Sequence, residues 1–317
     1  MNIAVLGCGR WGSFIATYLS KENNVTLWGR KGGKSITNLM QTRENEYLKL
    51  DDSIGLTDDL EKALNNDIII ISILTQELRS LLSQVVEFAH TEQKFVFCMK
   101  GVEAETGKTL TQIAIEAGLP KENLALWVGP GHVQNFLDGI SNCMLLSSYD
   151  SNLAKDLSLE FSSPLIRFYL SNDVVGAEIG SATKNVVGIM SGILDGLGWE
   201  SLKGALMARA TSEVARLILA VGGNPNTVYG LSHLGDYEAT LFSKFSHNRL
   251  YGENLAKGEI TKKSAEGVGN TKGIANLARE FDVEMPLTFA LERILFYNAD
   301  IKEEIEALFN RPLKYEL

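Results

Sequence analysis

A lysine stands within a row of glycines in the second half of the chain. Gly176, Gly180, Gly188 and Gly192 lie on a four-residue step, and Lys184 takes the remaining position of that row. In a helix, residues four apart form one continuous ridge, and each interior glycine costs about 1 kcal/mol relative to alanine. This cost indicates that another element approaches the ridge closely. Burial there would disfavour the charged ammonium and make Lys184 a candidate proton donor.

Two interpretations of this helix remain open at the sequence level. In one, the glycines form a packing surface and Lys184 extends past its neighbours to water. In the other, Lys184 is catalytic, and Asn185, a second polar group in an otherwise small and apolar helix, joins it in contacting a substrate. The second interpretation requires a cofactor site and a partner for the lysine elsewhere in the chain.

The composition argues against several classes of protein. The chain has 317 residues, of which 45% are hydrophobic and 22% charged, with a formal net charge of -9. This balance predicts a soluble globular protein with room for two domains, and it disfavours binding to nucleic acid or an anionic membrane. Cys8, Cys98 and Cys143 show no metal-ligand spacing and fit a reducing cytoplasm. We expect no metal, no export signal and no membrane insertion.

The hydrophobic pattern changes in the middle of the chain. Up to about residue 170, β-branched runs alternate with amphipathic stretches, which predicts an α/β fold with a Rossmann-type, doubly wound, mostly parallel sheet. From about residue 173 the pattern is helical, and S-N-D at 171–173 is typical of a helix N-cap. We predict a dinucleotide-binding domain over 1–172 and an all-helical substrate and catalytic domain over 173–317. The predicted strands are 3–6, 25–28, 67–73, 95–99, 124–128, 143–147 and 165–170, and the predicted helices are 174–197, 201–221, 250–257, 271–281 and 287–308.

A glycine-rich loop follows the first predicted strand. In G-C-G-R-W-G, Gly7, Gly9 and Gly12 have the spacing of a dinucleotide-binding loop. Glycine is needed where the chain turns tightly and where backbone N–H groups reach a pyrophosphate at a helix N-terminus. Arg10, inside the loop, either adds a phosphate contact or points to water. The loop and its position predict a nucleotide site.

The end of the second predicted strand bears on the choice between NAD and NADP. An acidic residue there accepts from the ribose 2′-hydroxyl, whereas a basic residue accommodates a 2′-phosphate. Gly29 occupies the acidic position, and Arg30, Lys31 and Lys34 follow it. We predict that NADP(H) is preferred and that NAD(H) is possible. The alternative explanation is a solvated basic turn.

Two further loops after predicted strands carry candidate ligand groups. Lys100 directly follows a strand, at the carboxyl edge of the sheet, where open α/β sheets bind ligands. Gly129 and Gly131 lie in V-G-P-G-H-V at 128–133 and offer backbone N–H groups. His132 of the same loop is either a ligand group or a partly buried imidazole.

The segment 230–249 in the helical half is rich in hydroxyl, amide and ionisable groups. Asp236 would either hold Lys184 in place or accept from a substrate hydroxyl. The other candidates would bind an anionic head group, and they are Thr240, Ser246, His247, Asn248 and Arg249. The alternative is a capped helix and loop with a solvated polar face.

The order and spacing of these motifs are specific in combination. The chain resembles, nearly end to end, the soluble NAD(P)-dependent glycerol-3-phosphate dehydrogenases of the bacterial type. The motifs that carry the resemblance are the glycine loop with Trp11, K-G-V-E at 100–103, G-P at 129–130, K-N-V at 184–186, L-G-D at 234–236 followed by Thr240, S-x-N-R at 246–249, A-E-G-V at 265–268 and V-E-M-P at 283–286.

The resemblance implies a reaction and a set of roles. The reaction would be reduction of dihydroxyacetone phosphate to sn-glycerol 3-phosphate, a phospholipid precursor, by a homodimer with Lys184 as proton donor or acceptor. Lys100 and Asp236 complete the expected catalytic set. The substrate contacts that the resemblance implies are Lys100, Gly129, Asp236, Ser246 and Asn248, and the cofactor contacts are Trp11, Arg30, Lys100, Val133 and Glu266.

Several positions depart from the family pattern. His247 stands where the family has an arginine that touches both phosphate and cofactor, and a histidine makes that contact conditional on its protonation. Gly131 lacks the hydroxyl of the usual serine. Other departures are Arg10 for a serine, Val133 for an alanine, and A-T at 210–211 for an R-G pair. Either Arg249 compensates at the phosphate or the substrate differs.

Two other functions therefore stay open at the sequence level. One is a related two-domain reductase, of the hydroxyacid and ketopantoate type, that acts on another small oxo compound. The other is a nucleotide-binding sensor without catalysis.

Overall fold

The computed structural model describes residues 1–259, 265–312 and 315. The chain forms two compact units, Met1–Lys100 with Thr109–Glu178, and Gly101–Lys108 with Ile179–Leu317. The boundary between the units falls inside a helix, shortly after the predicted division at 172/173. The prediction also placed residues 101–108 in the first domain, whereas in the structure they belong to the second unit.

The first unit is built on a sheet of eight strands in the described part of the chain. The strand order is β3-β2-β1-β4-β5-β6-β7-β8, and neighbouring strands are parallel except β6 and β7. From β1 the chain adds β2 and β3 on one side and then continues with β4 and β5 on the other side. Doubly wound sheets bind ligands at such a switch point, at the carboxyl ends of the strands. The predicted fold class is confirmed. The strands are β1 (Asn2–Leu6), β2 (Asn24–Trp28), β3 (Gly55–Thr57), β4 (Ile68–Ile71), β5 (Lys94–Phe97), β6 (Leu124–Val128), β7 (Asn142–Ser148) and β8 (Ile166–Ser171).

Helices connect these strands, and their apolar faces complete the core of the first unit. The indole of Trp127 lies at its centre, with ring centroids 5.4 Å from Phe161 and 5.0 Å from Phe168. Strand β3 was not predicted, because three residues are too few to show a periodic pattern. The helices are α1 (Arg10–Leu19), α2 (Lys34–Thr42), α3 (Leu60–Leu64), α4 (Leu78–Val85), α5 (Leu110–Glu116), α6 (Val133–Leu137) and α7 (Ser151–Phe161).

The rest of the described chain is helical. The predicted N-cap is confirmed, because Asp173 Oδ1 accepts from Gly176 N at 3.0 Å and the helix begins at the next residue. Among the described residues, no helix combines the length and the apolar character that a bilayer crossing requires. The helices are α8 (Val174–Leu197), α9 (Lys203–Ala220), α10 (His247–Ala256), α11 (Glu266–Glu280), α12 (Pro286–Tyr297) and α13 (Ile301–Phe309), with short 3₁₀ segments at Glu200–Leu202, Pro225–Tyr229 and Leu234–Asp236 and a π-helix at Glu238–Phe242.

The prediction of one helix over 287–308 is wrong. Helix α12 ends at Asn298, which has the left-handed φ of 55°. Asp300 then starts α13, since its carboxylate accepts from the N–H groups of Lys302 and Glu303. The chain reverses over N-A-D, and both polar residues are typical of helix ends. Helices α10 and α11 also begin a few residues earlier than predicted.

The glycine row of α8 is a close-contact surface, as its cost in helix propensity predicted. A Cβ on Gly192 would lie 1.8 Å from the carbonyl oxygen of Arg249 in α10. The contact is reciprocal, because a Cβ on Gly252 of α10 would lie 2.0 Å from Ile189 O. At Gly180 a Cβ would come within 3.1 Å of both Ser232 and His233. Helices α8 and α10 therefore approach to backbone contact, and a short loop packs on the same ridge.

A single methyl group on this ridge is expected to destabilise the protein. Gly192→Ala places a Cβ against backbone, so we expect a loss of about 1–3 kcal/mol or more in unfolding free energy. Gly204→Ala in α9 is the matched control, because a Cβ there meets no described atom within 4 Å. This control should be neutral or stabilising by up to about 1 kcal/mol. Urea unfolding of both variants measures the difference, and equal stabilities would contradict the close packing of α8 on α10.

Candidate active site

Lys184 lies at the centre of a buried polar cluster in the second unit. Its Nζ is 2.8 Å from Asp236 Oδ2 and 2.8 Å from Thr240 Oγ1. The lysine side chain is 8% exposed and the aspartate side chain 1%. The interpretation in which Lys184 extends to water is therefore wrong. The predicted partner Asp236 is present, and the ion pair stabilises the ammonium form against the loss of solvation.

Irregular backbone brings these two partners to the lysine. Asp236 ends the 3₁₀ segment Leu234–Asp236, and Thr240 lies in the middle of the π-helix that begins two residues later. Single π-helical turns are rare and occur frequently at functional sites. Gly188, one turn after Lys184 on α8, makes room for this turn, because a Cβ there would lie 2.8 Å from Thr240 Cγ2. One glycine of the row is thus required by the cluster itself.

His233 is a buried member of this region that the sequence analysis did not select. Its Nδ1 is 2.9 Å from Gly180 O and 3.3 Å from Thr183 Oγ1, and its Nε2 is 2.7 Å from the hydroxyl of Tyr237. Burial lowers the pKa of His233 from 6.5 to about 4. The imidazole is therefore neutral at ordinary pH and ties the turn that carries Asp236 to α8. Its place in the predicted polar segment 230–249 was the one available signal.

Three of the residues predicted to bind an anionic head group, Ser246, His247 and Asn248, lie at the start of α10, whereas Thr240 lies in the π-helix against Lys184. Ser246 is its N-cap and accepts from Arg249 N at 3.3 Å. His247 is the first residue of the helix and is partly exposed. Asn248 Oδ1 accepts from Gly267 N at 2.9 Å, at the start of α11. An amide whose oxygen is used in this way presents its NH₂ as the donor for an anion.

Arg249 does not belong with this group. Its Nη1 lies 2.6 Å from Asp195 Oδ2 and 2.9 Å from Glu253 Oε2, and its Nε donates to Ser243 O at 3.2 Å. The guanidinium therefore already pairs with two carboxylates, which it shares with Lys203 and Lys257. The expectation that Arg249 binds the substrate anion is not supported, because the close approach of α8 and α10 places Asp195 beside it.

The glycine loop of the first unit has the geometry of a dinucleotide cradle. Gly7 has φ of +118°, and a Cβ there would lie 2.1 Å from Ser72 O. A Cβ on Gly12 would lie 1.8 Å from Gly7 O. At Gly9 a Cβ would meet no described protein atom within 4 Å. Gly7 and Gly12 are thus required by the fold, whereas Gly9 leaves the backbone open to a pyrophosphate at the start of α1.

The residues around this loop have mixed surroundings. Arg10 lies over the ring of Tyr47, 5.9 Å from its centroid. Trp11 is half-buried and packs on Phe14 and Phe136, at centroid distances of 5.4 and 6.1 Å. Because Arg10 also contacts Tyr47, the prediction that its side chain simply points to water is incomplete.

The end of β2 cannot take an acidic residue at position 29. A Cβ on Gly29 would lie 2.6 Å from the Cβ of Ile36 and 2.7 Å from Cys8 Sγ. Arg30, Lys31 and Lys34 follow as exposed side chains. The strand therefore ends on a buried glycine and a basic turn.

The loops after β5 and β6 meet in the first unit. Lys100 Nζ donates to Gly129 O at 2.7 Å. Gly129 and Gly131 have φ of +129° and +146°, and a Cβ on Gly131 would lie 2.5 Å from the ring of Phe136. No side chain fits between the Gly131 backbone and the Phe136 ring. This crowding explains why glycine stands here in place of the serine of the family pattern.

Three predicted residues are placed without a settled role. Val133 is 2% exposed and packs in the hydrophobic core of the first unit. Glu266 is the exposed first residue of α11. Asn185, next to Lys184, is 4% exposed, and its carbonyl would lie 2.6 Å from a Cβ on Gly267.

A doubly wound sheet with a glycine cradle, joined to a helical unit with a buried lysine–aspartate pair, defines a dinucleotide-dependent oxidoreductase. Comparison with known proteins specifies the class further. Residues 2–154 match the N-terminal domain, and residues 173–306 the C-terminal domain, of NAD-dependent glycerol-3-phosphate dehydrogenase.

Individual relatives cover the chain from end to end. The chain is 32% identical to the glycerol-3-phosphate dehydrogenase [NAD(P)+] of Chlorobium phaeobacteroides, with 100% of this chain and 99% of the relative covered. It is also 32% identical to the enzyme of that name from Staphylococcus aureus, with 99% of each chain covered. The crystal structure of glycerol-3-phosphate dehydrogenase from Coxiella burnetii superposes with a TM-score of 0.91 at 26% identity, covering 98% of this chain and 99% of that one. The chain belongs to the family of NAD-dependent glycerol-3-phosphate dehydrogenases.

The buried imidazole predicts a pH dependence of stability. Between about pH 6.5 and about pH 4 the unfolded chain binds a proton at His233 while the folded chain does not, so stability falls as the pH is lowered through this window. The contribution is at most roughly 3 kcal/mol. Urea unfolding of the protein and of His233→Gln near pH 7 and near pH 4.5 measures it. The substituted protein should lose less stability on acidification, and equal losses would rule out this role of His233.

Proposed function

We propose that the chain interconverts dihydroxyacetone phosphate and sn-glycerol 3-phosphate, with Lys184 as the group that gives and takes the proton. When bound, a nicotinamide cofactor would supply the hydride for the carbonyl carbon in reduction and accept it in oxidation. In reduction, the carbonyl oxygen takes a proton from the Lys184 ammonium as the C–H bond forms, and in oxidation the neutral amine takes the hydroxyl proton back. The cluster of Lys184, Asp236 and Thr240 is the observation that carries this proposal.

The two partners of Lys184 have separate tasks in this mechanism. Asp236 stabilises the ammonium, so the lysine is charged before the proton moves and regains its proton afterwards. Thr240 fixes the direction of Nζ by a second hydrogen bond. An ammonium has three N–H donors, and two of them are oriented by these residues. A proton donor held in this way is worth about 10²–10⁴ in rate.

The phosphate of the substrate is proposed to lie at the start of α10. Ser246, His247 and Asn248 provide a hydroxyl, an imidazole and an amide there, next to backbone N–H groups of the first turn. Helix N-termini favour anions. Asn185 of α8 is proposed as a further substrate contact. In the first unit, Lys100, Gly129 and Gly131 are proposed substrate contacts, and Lys100 is proposed as a catalytic group.

The cofactor is proposed to lie on the glycine cradle. Gly9 would let a pyrophosphate approach the N–H groups at the start of α1, and Arg10 and Trp11 are proposed as further cofactor contacts. Further cofactor contacts are proposed at Arg30, Lys100, Val133, His247 and Glu266. Membership of the family supports a nicotinamide dinucleotide, and the preference between NADP and NAD is a separate proposal.

The preference for NADP(H) rests on the end of β2. An acidic side chain is excluded at Gly29 by Ile36 and Cys8, and the exposed Arg30 follows directly. A guanidinium pairs well with a 2′-phosphate, whereas a free 2′-hydroxyl would find no acidic side chain at position 29 to accept its hydrogen bond. The expectations of a cytoplasmic homodimer that supplies phospholipid synthesis stay predictions.

Removing the lysine charge tests the proposed mechanism. Lys184→Met should lower kcat for dihydroxyacetone phosphate by about 10²-fold or more while leaving the Kd of the cofactor nearly unchanged. The single variant removes one partner of the buried Lys184–Asp236 ion pair, and breaking such a pair costs about 3–5 kcal/mol. The double variant Lys184→Met with Asp236→Asn removes both charges and should fold better without regaining turnover. Absorbance of the reduced cofactor follows the rate.

Two results would contradict this mechanism. A near-normal rate in the double variant would remove the lysine from the proton transfer. Turnover of a non-phosphorylated ketone by the unsubstituted protein, with none on dihydroxyacetone phosphate, would show that the substrate differs.

The choice of cofactor is tested at Arg30. Arg30→Ala should raise KM for NADPH about 10-fold, since one charge-assisted phosphate contact of about 1.5 kcal/mol is lost. KM for NADH should change by less than about 2-fold, because NADH lacks the 2′-phosphate. Lys62→Ala, a lysine in α3, is a control for the change in net charge. Equal effects on both cofactors would show that the basic turn is only solvated surface.

A further inference from the structure

The carbonyl groups at the end of the π-helix are held by side chains. Leu241 O accepts from Ser191 Oγ at 2.9 Å and from Lys203 Nζ at 3.1 Å. Ser243 O, just beyond the helix, accepts from Arg249 Nε at 3.2 Å. The last carbonyls of any helix lack partners within it. Here three donors from α8, α9 and α10 take that place next to Thr240.

One carboxylate links two of these donors. Asp195 of α8 lies 2.6 Å from Lys203 Nζ through Oδ1 and 2.6 Å from Arg249 Nη1 through Oδ2. The side chains of Lys203, Asp195 and Arg249 are 10%, 13% and 15% exposed. Lys203 Nζ also lies 5.0 Å from the ring centroid of Phe242, the last residue of the π-helix. Lys203 is therefore fixed on one side by Asp195 and contacts the π-helix on the other.

We infer that Lys203 is a positioning residue for the reaction, which holds the π-helix so that the Thr240 hydroxyl meets Lys184. This role of Lys203 rests on the proposed function, because the hydrogen bond between Thr240 and Lys184 is the one that orients the proton donor. Thr240 is the residue directly before Leu241, whose carbonyl Lys203 binds. The methyl group of Thr240 lies in the space that Gly188 leaves open, because a Cβ there would be 2.8 Å from it. Since Thr240 and Leu241 are consecutive, a shift of the Leu241 carbonyl would also displace the Thr240 hydroxyl.

A purely stabilising role explains this arrangement less well. Ion pairs that are largely removed from water are weak contributors to stability, and apolar side chains of similar size often replace them without loss. Lys203 instead fixes the position of the Leu241 carbonyl, because its Nζ must contact both Asp195 and that carbonyl oxygen. Displacing a catalytic contact by about 1 Å can cost on the order of 10²-fold in rate. The expected signature is thus a loss of rate in a folded protein.

Lys203→Met tests the inference in two backgrounds. Methionine keeps the length of the side chain, and Asp195 keeps Arg249 as its partner. We expect kcat for dihydroxyacetone phosphate with NADPH to fall about 10-fold with KM for NADPH unchanged. In a Thr240→Val background the hydroxyl is already absent, so Lys203→Met should change kcat by less than about 2-fold. Lys257→Met is the matched control, because Lys257 pairs with Glu253 at the outer end of the same network and is 43% exposed.

Thermal unfolding of each variant shows whether it is folded. If Lys203→Met does not fold, Ser191→Ala replaces it, because it removes the other donor to the same carbonyl with a smaller change. The same fold-loss of kcat in both backgrounds, or an unchanged kcat in a folded variant, overturns the inference while the proposed function stands. Absence of turnover of dihydroxyacetone phosphate by the unsubstituted protein overturns the proposed function, and the inference with it.

Discussion

The second unit depends on keeping an ammonium group inside an apolar helical core. Removing one ion from water costs several kcal/mol, and this cost is offset only by a close counter-charge and further hydrogen bonds. Asp236 and Thr240 provide both at 2.8 Å from Lys184. Neither partner comes from a regular α-helix. The 3₁₀ and π-helical turns that carry Asp236 and Thr240 are therefore needed to keep the Lys184 ammonium buried.

The glycines of α8 follow from the same constraint. Irregular turns must lie close to the helix that carries the lysine, and a side chain at Gly188 would occupy the place of Thr240. Further along the helix, Gly192 lets α10 approach to backbone contact. That approach sets Asp195 beside Arg249 and Lys203, which hold the far end of the π-helix. The glycines of α8 and the ion pairs of Asp195 thus both hold the π-helix close to Lys184.

Glycine has two distinct uses in the first unit. Gly7, Gly12 and Gly29 lie where a Cβ would collide with protein atoms, so the fold requires them. A Cβ on Gly9 would meet no described protein atom within 4 Å, so the space beside its backbone is open to a ligand. One motif therefore combines positions needed by the fold with a position available to the pyrophosphate. This distinction cannot be made from the spacing of the motif.

The sequence by itself determined most of the strand and helix pattern and the glycine cradle, because periodicity and motif spacing are local properties. It named Asp236 as a possible partner of Lys184 but left a substrate contact open, and the tertiary structure decided for the ion pair. It gave no sign that Arg249 pairs with Asp195, 54 residues away, and the motif S-x-N-R suggested an anion contact instead. The roles of His233 and Lys203 were also missed. Those pairings depend on how α9, α10 and the segment that carries His233 pack against α8, which only the tertiary structure decides.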